Sequence, residues 1–199
     1  MEPLWTLFLN ADHTAPQVLP FAGGKVAIFS RRCRTRDGAN EDAAALLAFG
    51  EESGLLAVAD GCGGMASGEL AAKAAIESLE ASLASADEPQ ANIRAAVLDG
   101  FEKANRHVLE LGSGAATTLA VVEIDGPVMR PYHVGDSTIL LLGNRGRMRL
   151  ITTSHSPVGY AVEAGILDEH EAIHHEDRHL VSNVIGTQHY HIEIGSRRK

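Results

Sequence analysis

The stretch that decides the fold is Leu55-Leu56-Ala57-Val58-Ala59-Asp60-Gly61-Cys62-Gly63-Gly64. Its five apolar residues read as a fully buried strand, which runs straight into Asp-Gly and a glycine-rich loop. Two helices are expected next. Glu69 to Ala84 puts Ala71, Ala75, Leu79 and Leu83 on one stripe, with Ser67 as its N-cap and Glu69 suited to the helix dipole. Gln90 to Leu111 repeats apolar residues at helical spacing from Ile93 through Val97, Phe101, Ala104 and Val108, and Gly112 marks its end.

Upstream, Ala43 to Phe49 is a short apolar run, closed by the turn Glu51-Glu52-Ser53-Gly54. Before it come a strand candidate, Lys25 to Ser30, and a basic loop, Arg31 to Asn40. Residues 1–24, with Pro3, Pro16 and Pro20, read as an irregular leader with room for one docked segment, leaving residues 25–199 as the domain proper. Downstream, strands are expected at Thr117–Ile124, Arg130–Val134, Thr138–Leu142 and Arg147–Thr152, joined by short meander turns. Short helices follow at Val158–Gly165 and Asp168–Ile173, then a strand at His191–Ile194. Strands around a central helix pair point to an α+β sandwich.

The chain has 199 residues, 45% of them hydrophobic and 22% charged, which suits one globular domain and excludes disorder. A formal charge of -9 disfavours nucleic acid and anionic membrane as partners. No apolar run approaches the roughly 20 residues that span a bilayer. Two cysteines, Cys33 and Cys62, make no disulfide framework, and without a signal peptide they point to a reducing, cytoplasmic setting. Six of the ten histidines fall between His170 and His191, a stretch read as a solvated loop.

The chemistry lies in carboxylates at strand ends beside glycines: Asn40-Glu41-Asp42, Asp60-Gly61 and Gly135-Asp136-Ser137. Acidic groups abutting apolar strands are costly to desolvate unless cations pair with them. Hard divalent ions prefer such oxygen ligands, supplemented by backbone carbonyls. Gly61 would let a carbonyl turn toward a metal, and Gly63 and Gly64 would admit a ligand close to the backbone. Taken singly, Asp60 and Asp136 read more simply as turn residues.

Arg36-Asp37-Gly38-Ala39-Asn40-Glu41-Asp42-Ala43 resembles the opening motif of the type 2C (PPM-type) metal-dependent serine/threonine protein phosphatases. Val58 to Gly64, followed by Ser67-Gly68-Glu69, resembles their second and most specific motif. Ala116-Thr117-Thr118-Leu119-Ala120 and His133-Val134-Gly135-Asp136-Ser137 resemble two more. Leu150 to Ser156 with Glu163-Ala164-Gly165 resembles the segment leading into the flap, and Asn183 to Gly186 the motif that closes it. The matches run in family order from about residue 25 to residue 195.

The resemblance implies a four-layer α-β-β-α sandwich of two mainly antiparallel sheets flanked by helices, holding two Mn²⁺ or Mg²⁺ ions between the sheets. Asp60 would bridge both metals, the Gly61 carbonyl would bind one, Glu41 the other, with Asp42 close by. Asp136 would help hold a third, weaker ion. The implied activity is hydrolysis of phosphoserine and phosphothreonine in a phosphorylated protein substrate by a metal-bridged hydroxide. Arg36 is the candidate for the substrate phosphate, since a planar guanidinium suits phosphate; a shift of register would leave it a surface charge. Cys62, where eukaryotic members carry histidine, reads as a small buried residue.

Family members continue into Asp-Gly and Asp-Asn motifs whose aspartates bind metal, and nothing after Ile194 matches them. The sandwich is therefore expected to be truncated at its C-terminus, with an open edge. A piece of a longer phosphatase is the favoured explanation; a naturally shortened member is the other. The opposing functional class is a pseudophosphatase, a protein-binding module that keeps the fold without a full metal site. Two rival motifs stand beside these readings. His175-Glu176-Asp177-Arg178-His179 matches the zinc-protease pattern, which needs a helix. Gly61 to Ala66 fits a dinucleotide fingerprint, but Asp60 would repel a pyrophosphate and βαβ alternation is missing.

Overall fold

The computed structural model describes residues 5–35, 38–62, 67–86, 92–112 and 114–199. Its centre is a pair of antiparallel strands, β4 (Asp42–Ala48) and β5 (Ser53–Asp60), in register from Asp42 opposite Asp60 to Ala48 opposite Gly54. Side chains alternate across a strand, so each strand feeds two cores. Ala43, Ala45 and Leu47 of β4 and Leu55, Ala57 and Ala59 of β5 join the core beneath the helices. Ala44, Leu46 and Ala48 turn to the opposite face, where they meet Phe8 and Phe21.

The helices are α1 (Gly68–Ala84) and α2 (Ile93–Leu111), and they pack on each other and on the first of these faces. Alanine dominates the buried side of α1, at Ala71, Ala72, Ala74 and Ala75, which lets its backbone lie close to the strands. Ile76, Leu79, Leu83, Val97 and Phe101 supply the bulk, each essentially inaccessible to solvent. Burying a side chain of that size contributes about 1.5–3 kcal/mol. Ser67 stands at the N-cap position with φ 70° and makes no side-chain cap bond, contrary to expectation. At that left-handed φ the chain enters α1 beside Gly61, whose Cα packs so closely on the Gly68 carbonyl that a Cβ there would collide with it.

β6 (Leu119–Asp125) and β7 (Val128–Val134) extend the sheet as an antiparallel hairpin, and β10 (Glu193–Ile194) pairs with β7 at its edge. The opposite edge is β1 (Trp5–Leu9), antiparallel to β4. The leader, expected to be irregular apart from one docked segment, thus supplies an edge strand and, beyond expectation, β2 (Gln17–Phe21), which pairs with β3 (Gly24–Ile28). The order in the six-stranded sheet is β1-β4-β5-β6-β7-β10.

The architecture is α+β with antiparallel sheets. Beside the six-stranded sheet, the described residues form two further antiparallel hairpins, β2–β3 and β8 (Leu140–Leu142) with β9 (Met148–Ile151). The Gly135-Asp136-Ser137 segment is thus no meander turn; the chain leaves the main sheet there, with Gly135 at φ 111°. Nor is β5 fully buried: Val58 is 47% exposed, on the face away from the helices. Leu140, Leu142, Met148 and Ile151 are exposed as well. Beyond β9 come two short helices, α3 (Pro157–Glu163) and α4 (Glu169–His174), the latter opened by a capping box between Asp168 and Glu171.

Candidate functional site

The β4–β5 register builds the site. Asp42 opens β4, Asp60 closes β5, and the two stand directly opposite, so both carboxylates leave the same face. The two carboxyls are close enough to interact. That face is the one away from the helices, since the alternating Ala43 and Ala59 lie in the helix-side core. Glu41 immediately precedes β4, and its carbonyl accepts from the Gly61 amide at 3.0 Å. Gly61 has no room for a side chain: a Cβ would lie 2.8 Å from the Glu41 oxygen. Asp136 comes from the turn after β7 and is near enough to raise the pKa of Asp60.

Asp60 is held at its backbone by β6 and the residues just before it. Its carbonyl accepts from the Thr118 amide at 2.9 Å and from the Thr117 hydroxyl at 3.0 Å. Its amide donates to Thr118 Oγ1 at 3.0 Å, and Thr118 Oγ1 lies 2.7 Å from Ser137 Oγ. The Thr118 hydroxyl takes the place of one backbone acceptor at Asp60 while the pairing carries on in the same register to the Gly61–Thr117 bridge, and Ser137 links this end of β5 to the Asp136 turn. Sequence reasoning placed the two threonines in a motif without assigning them this work. A cleft of about 220 Å³ lies alongside, lined by Phe29, Ser30, Asp42, Val58, Asp60 and Ser137 among others.

The electrostatics are those of crowded anions. Burial pushes the Asp60 carboxyl up to about 6, and the charges of Asp42, Asp136 and Glu41 push the same way. Burial also raises Asp42, while its interaction with the Asp60 carboxyl works against the rise. Burial and the same three acidic neighbours, Asp60, Asp136 and Glu41, push the Cys62 thiol up to about 11, so it is uncharged at neutral pH. What remains is a set of hard oxygen donors with excess negative charge. That donor chemistry fits a divalent cation of the Mg²⁺ or Mn²⁺ kind.

Arg36 lies outside the described residues, as do Gly63 and Gly64. Arg32, close by in sequence, is paired with Asp12 at 3.2 Å. The zinc-protease pattern does not sit on a helix: α4 ends at His174, and residues 176–179 form turns. The strand pairings of the main sheet are all antiparallel, which removes the dinucleotide reading. Sequence reasoning passed over Asn105 and placed His155 in a motif without giving it a role, yet both tie distant segments together. Asn105 of α2 accepts from the amides of Gly186 and Thr187 at 2.7 and 3.2 Å, pinning the segment that follows the flap. His155, buried to 1% exposure, gathers bonds from several elements.

Together these features define a class: an α+β domain with an acidic edge at the ends of its central strands. The sequence profile of Protein phosphatase 2C matches residues 30–185. The chain belongs to the protein phosphatase 2C family. A curated relative from Streptococcus pyogenes serotype M6, described as "Putative protein phosphatase 2C-type", is 30% identical over 138 residues, 66% of this chain. The chain spans only 56% of that relative's length. The crystal structure of the PPM Ser-Thr phosphatase MsPP from Mycobacterium smegmatis, in complex with cacodylate, superposes with a TM-score of 0.70 at 28% identity, covering 93% of this chain and 73% of that one. The catalytic domain of the serine threonine protein phosphatase PstP, in complex with two manganese ions, shares the fold with a TM-score of 0.60 at 24% identity, over 98% and 73% of the two chains.

Proposed function

We propose that the chain is a metal-dependent protein serine/threonine phosphatase that removes phosphate from phosphoserine or phosphothreonine in a protein substrate. The observation that carries this reading is the Asp42–Asp60 pair, with Asp136 and Glu41 close enough to act on the same carboxyl. Glu41, Asp42, Asp60 and the Gly61 carbonyl would hold two Mn²⁺ or Mg²⁺ ions, and Asp136 a third, weaker one. When bound, such ions supply a water of lowered pKa and positive charge against the phosphoryl oxygens. The two manganese ions bound by PstP, a protein of the same fold, support the choice of metal.

The chain's own residues have distinct tasks in this proposal. Thr117 and Thr118 fix the Asp60 backbone, so its carboxylate needs little reorganisation to receive cations. Gly61 keeps the Glu41 and Asp60 strand ends in contact. Cys62, uncharged at neutral pH, leaves the oxygen ligands uncontested. Arg36 is assigned to grip the substrate phosphate through its guanidinium fork. Two cysteines make no disulfide framework, which accords with a reducing compartment, and we assign the protein to the cytoplasm. Among the described residues no helix is long and apolar enough to cross a membrane.

The test is hydrolysis of a phosphothreonine peptide by the full chain with and without Mn²⁺, beside Asp60→Asn. Mn²⁺-dependent turnover that the substitution abolishes is the expected result. Absence of turnover in a folded chain would leave the pseudophosphatase reading in its place. Turnover unchanged by Asp60→Asn would overturn the metal assignment.

A further inference from the structure

Among the described residues, His133, His155 and Glu193 each bring a ligand atom within 4.8 Å of the others. The hydrogen bonds argue against a second metal there. His155 Nδ1 faces two donors, the Gly135 amide at 3.1 Å and the Asn183 side-chain amide at 2.8 Å. The orientation of Asn183 is set by His191, whose amide donates to Asn183 Oδ1 and whose carbonyl accepts from Asn183 Nδ2. Nδ1 must therefore be unprotonated, and the ring proton resides on Nε2, donated to Glu193 at 3.2 Å. A cation at Nε2 would require an imidazolate. The cluster is a hydrogen-bonded joint, and its other contacts show what it joins.

His155 and Gly135 bond reciprocally: the Gly135 amide donates to the ring, and the His155 amide donates to the Gly135 carbonyl at 3.1 Å. Gly135 immediately precedes Asp136, and at φ 111° with Thr118 against its Cα face it tolerates no side chain. His155 also opens the excursion that carries α3 and α4. The excursion returns at Ser182, whose amide and hydroxyl both donate to the His155 carbonyl at 2.9 Å. Asn183 then reaches the ring itself. One residue thus closes the base of the residue 156–181 loop and fixes the turn bearing Asp136.

We propose that His155 is a positioning residue that locks the Asp136 turn to the base of the α3–α4 flap through its Nδ1 acceptor, so that the acidic edge and the flap move as one body. The role assigned to Asp136 rests on the phosphatase reading; the mechanical joint does not. Burial holds the pKa of His155 below its ordinary value and keeps the acceptor available at neutral pH, while the bond to Glu193 opposes that effect.

The test compares two substitutions that divide the ring's functions. His155→Asn retains an acceptor near Nδ1 and loses the Glu193 contact; His155→Gln reaches toward Glu193 and loses the Nδ1 acceptor. Amide hydrogen exchange is read on the metal-free full chain. His155→Gln is expected to speed exchange at Gly135 and His191 by roughly five- to tenfold, the effect of one net hydrogen bond. It should leave β4 and β5 unchanged, and His155→Asn should restore protection. Mn²⁺ affinity by calorimetry should weaken by roughly tenfold in His155→Gln, the usual cost of removing a partner behind a metal ligand. Equal effects of the two substitutions, or faster exchange spread evenly through β4 and β5, would overturn the proposal, because a plain packing role predicts them. A wild-type chain that binds no Mn²⁺ would refute the phosphatase reading, and the exchange at Gly135 and His191 would still decide the joint.

Discussion

Asp60 stands at the centre of the proposed site, and its linkage to pH has a definite sign. Its carboxyl titrates near 6 in the folded metal-free protein, above the ordinary 3.8. The folded state therefore takes up the proton first, and stability increases as pH falls from above 6 toward 3.8. Above that range the charge is present and repelled by Asp42, Asp136 and Glu41, so it works against folding. Asp60→Asn is expected to raise the melting temperature of the metal-free chain at pH 7.5, with an advantage that shrinks below pH 6. A melting temperature lowered at pH 7.5 would contradict the account. Cations and protons compete for the same oxygens, so Mn²⁺ should stabilise the wild type more at pH 7.5 than near pH 5 in thermal scans. The candidate ligands were legible in the sequence because strand-end carboxylates beside glycine are an unusual pattern. His155 stood in a quoted motif, but its work was not legible, because its partners Gly135, Asn183 and Glu193 are distant in sequence and only folding brings them together.

At the scale of elements, helical periodicity was the clearest signal. The apolar spacing in α1 and α2 located both helices, with the start of α2 three residues later than expected, at Ile93. Edge strands were obscure. Trp5–Leu9 becomes β1 only through pairing with β4, a choice no local pattern encodes. The β8–β9 hairpin looked like a continuation of the sheet, and only the departure of the chain at Gly135 sets it apart. Two substitutions test how elements are held. Leu79→Ala, at the fully buried centre of the helix pair, should cost about 2–5 kcal/mol in urea unfolding. Asn105→Ala should cost about 1–3 kcal/mol, because the Gly186 and Thr187 amides lose the oxygen they share. A neutral result at Asn105 would mean that α2 does not anchor the segment after the flap.

Across the whole molecule, one sheet separates two different environments. The helix side is a close-packed core of alanine, leucine and valine. The other side begins as a core around Phe8, Phe21 and Leu46 and opens, along β5, onto exposed Val58 and the carboxylates. The strand register that fills one side with methyl groups aims Asp42 and Asp60 at the other, so the fold and the site follow from the same alternation. The central claim is that this acidic edge is a divalent-cation site. Calorimetric titration of the full chain with Mn²⁺ at pH 7.5, beside Asp60→Asn, tests it most directly. The account predicts saturable binding to the wild type and its loss in a variant that retains its circular dichroism. Equal binding by both proteins, or none by the folded wild type, would contradict it.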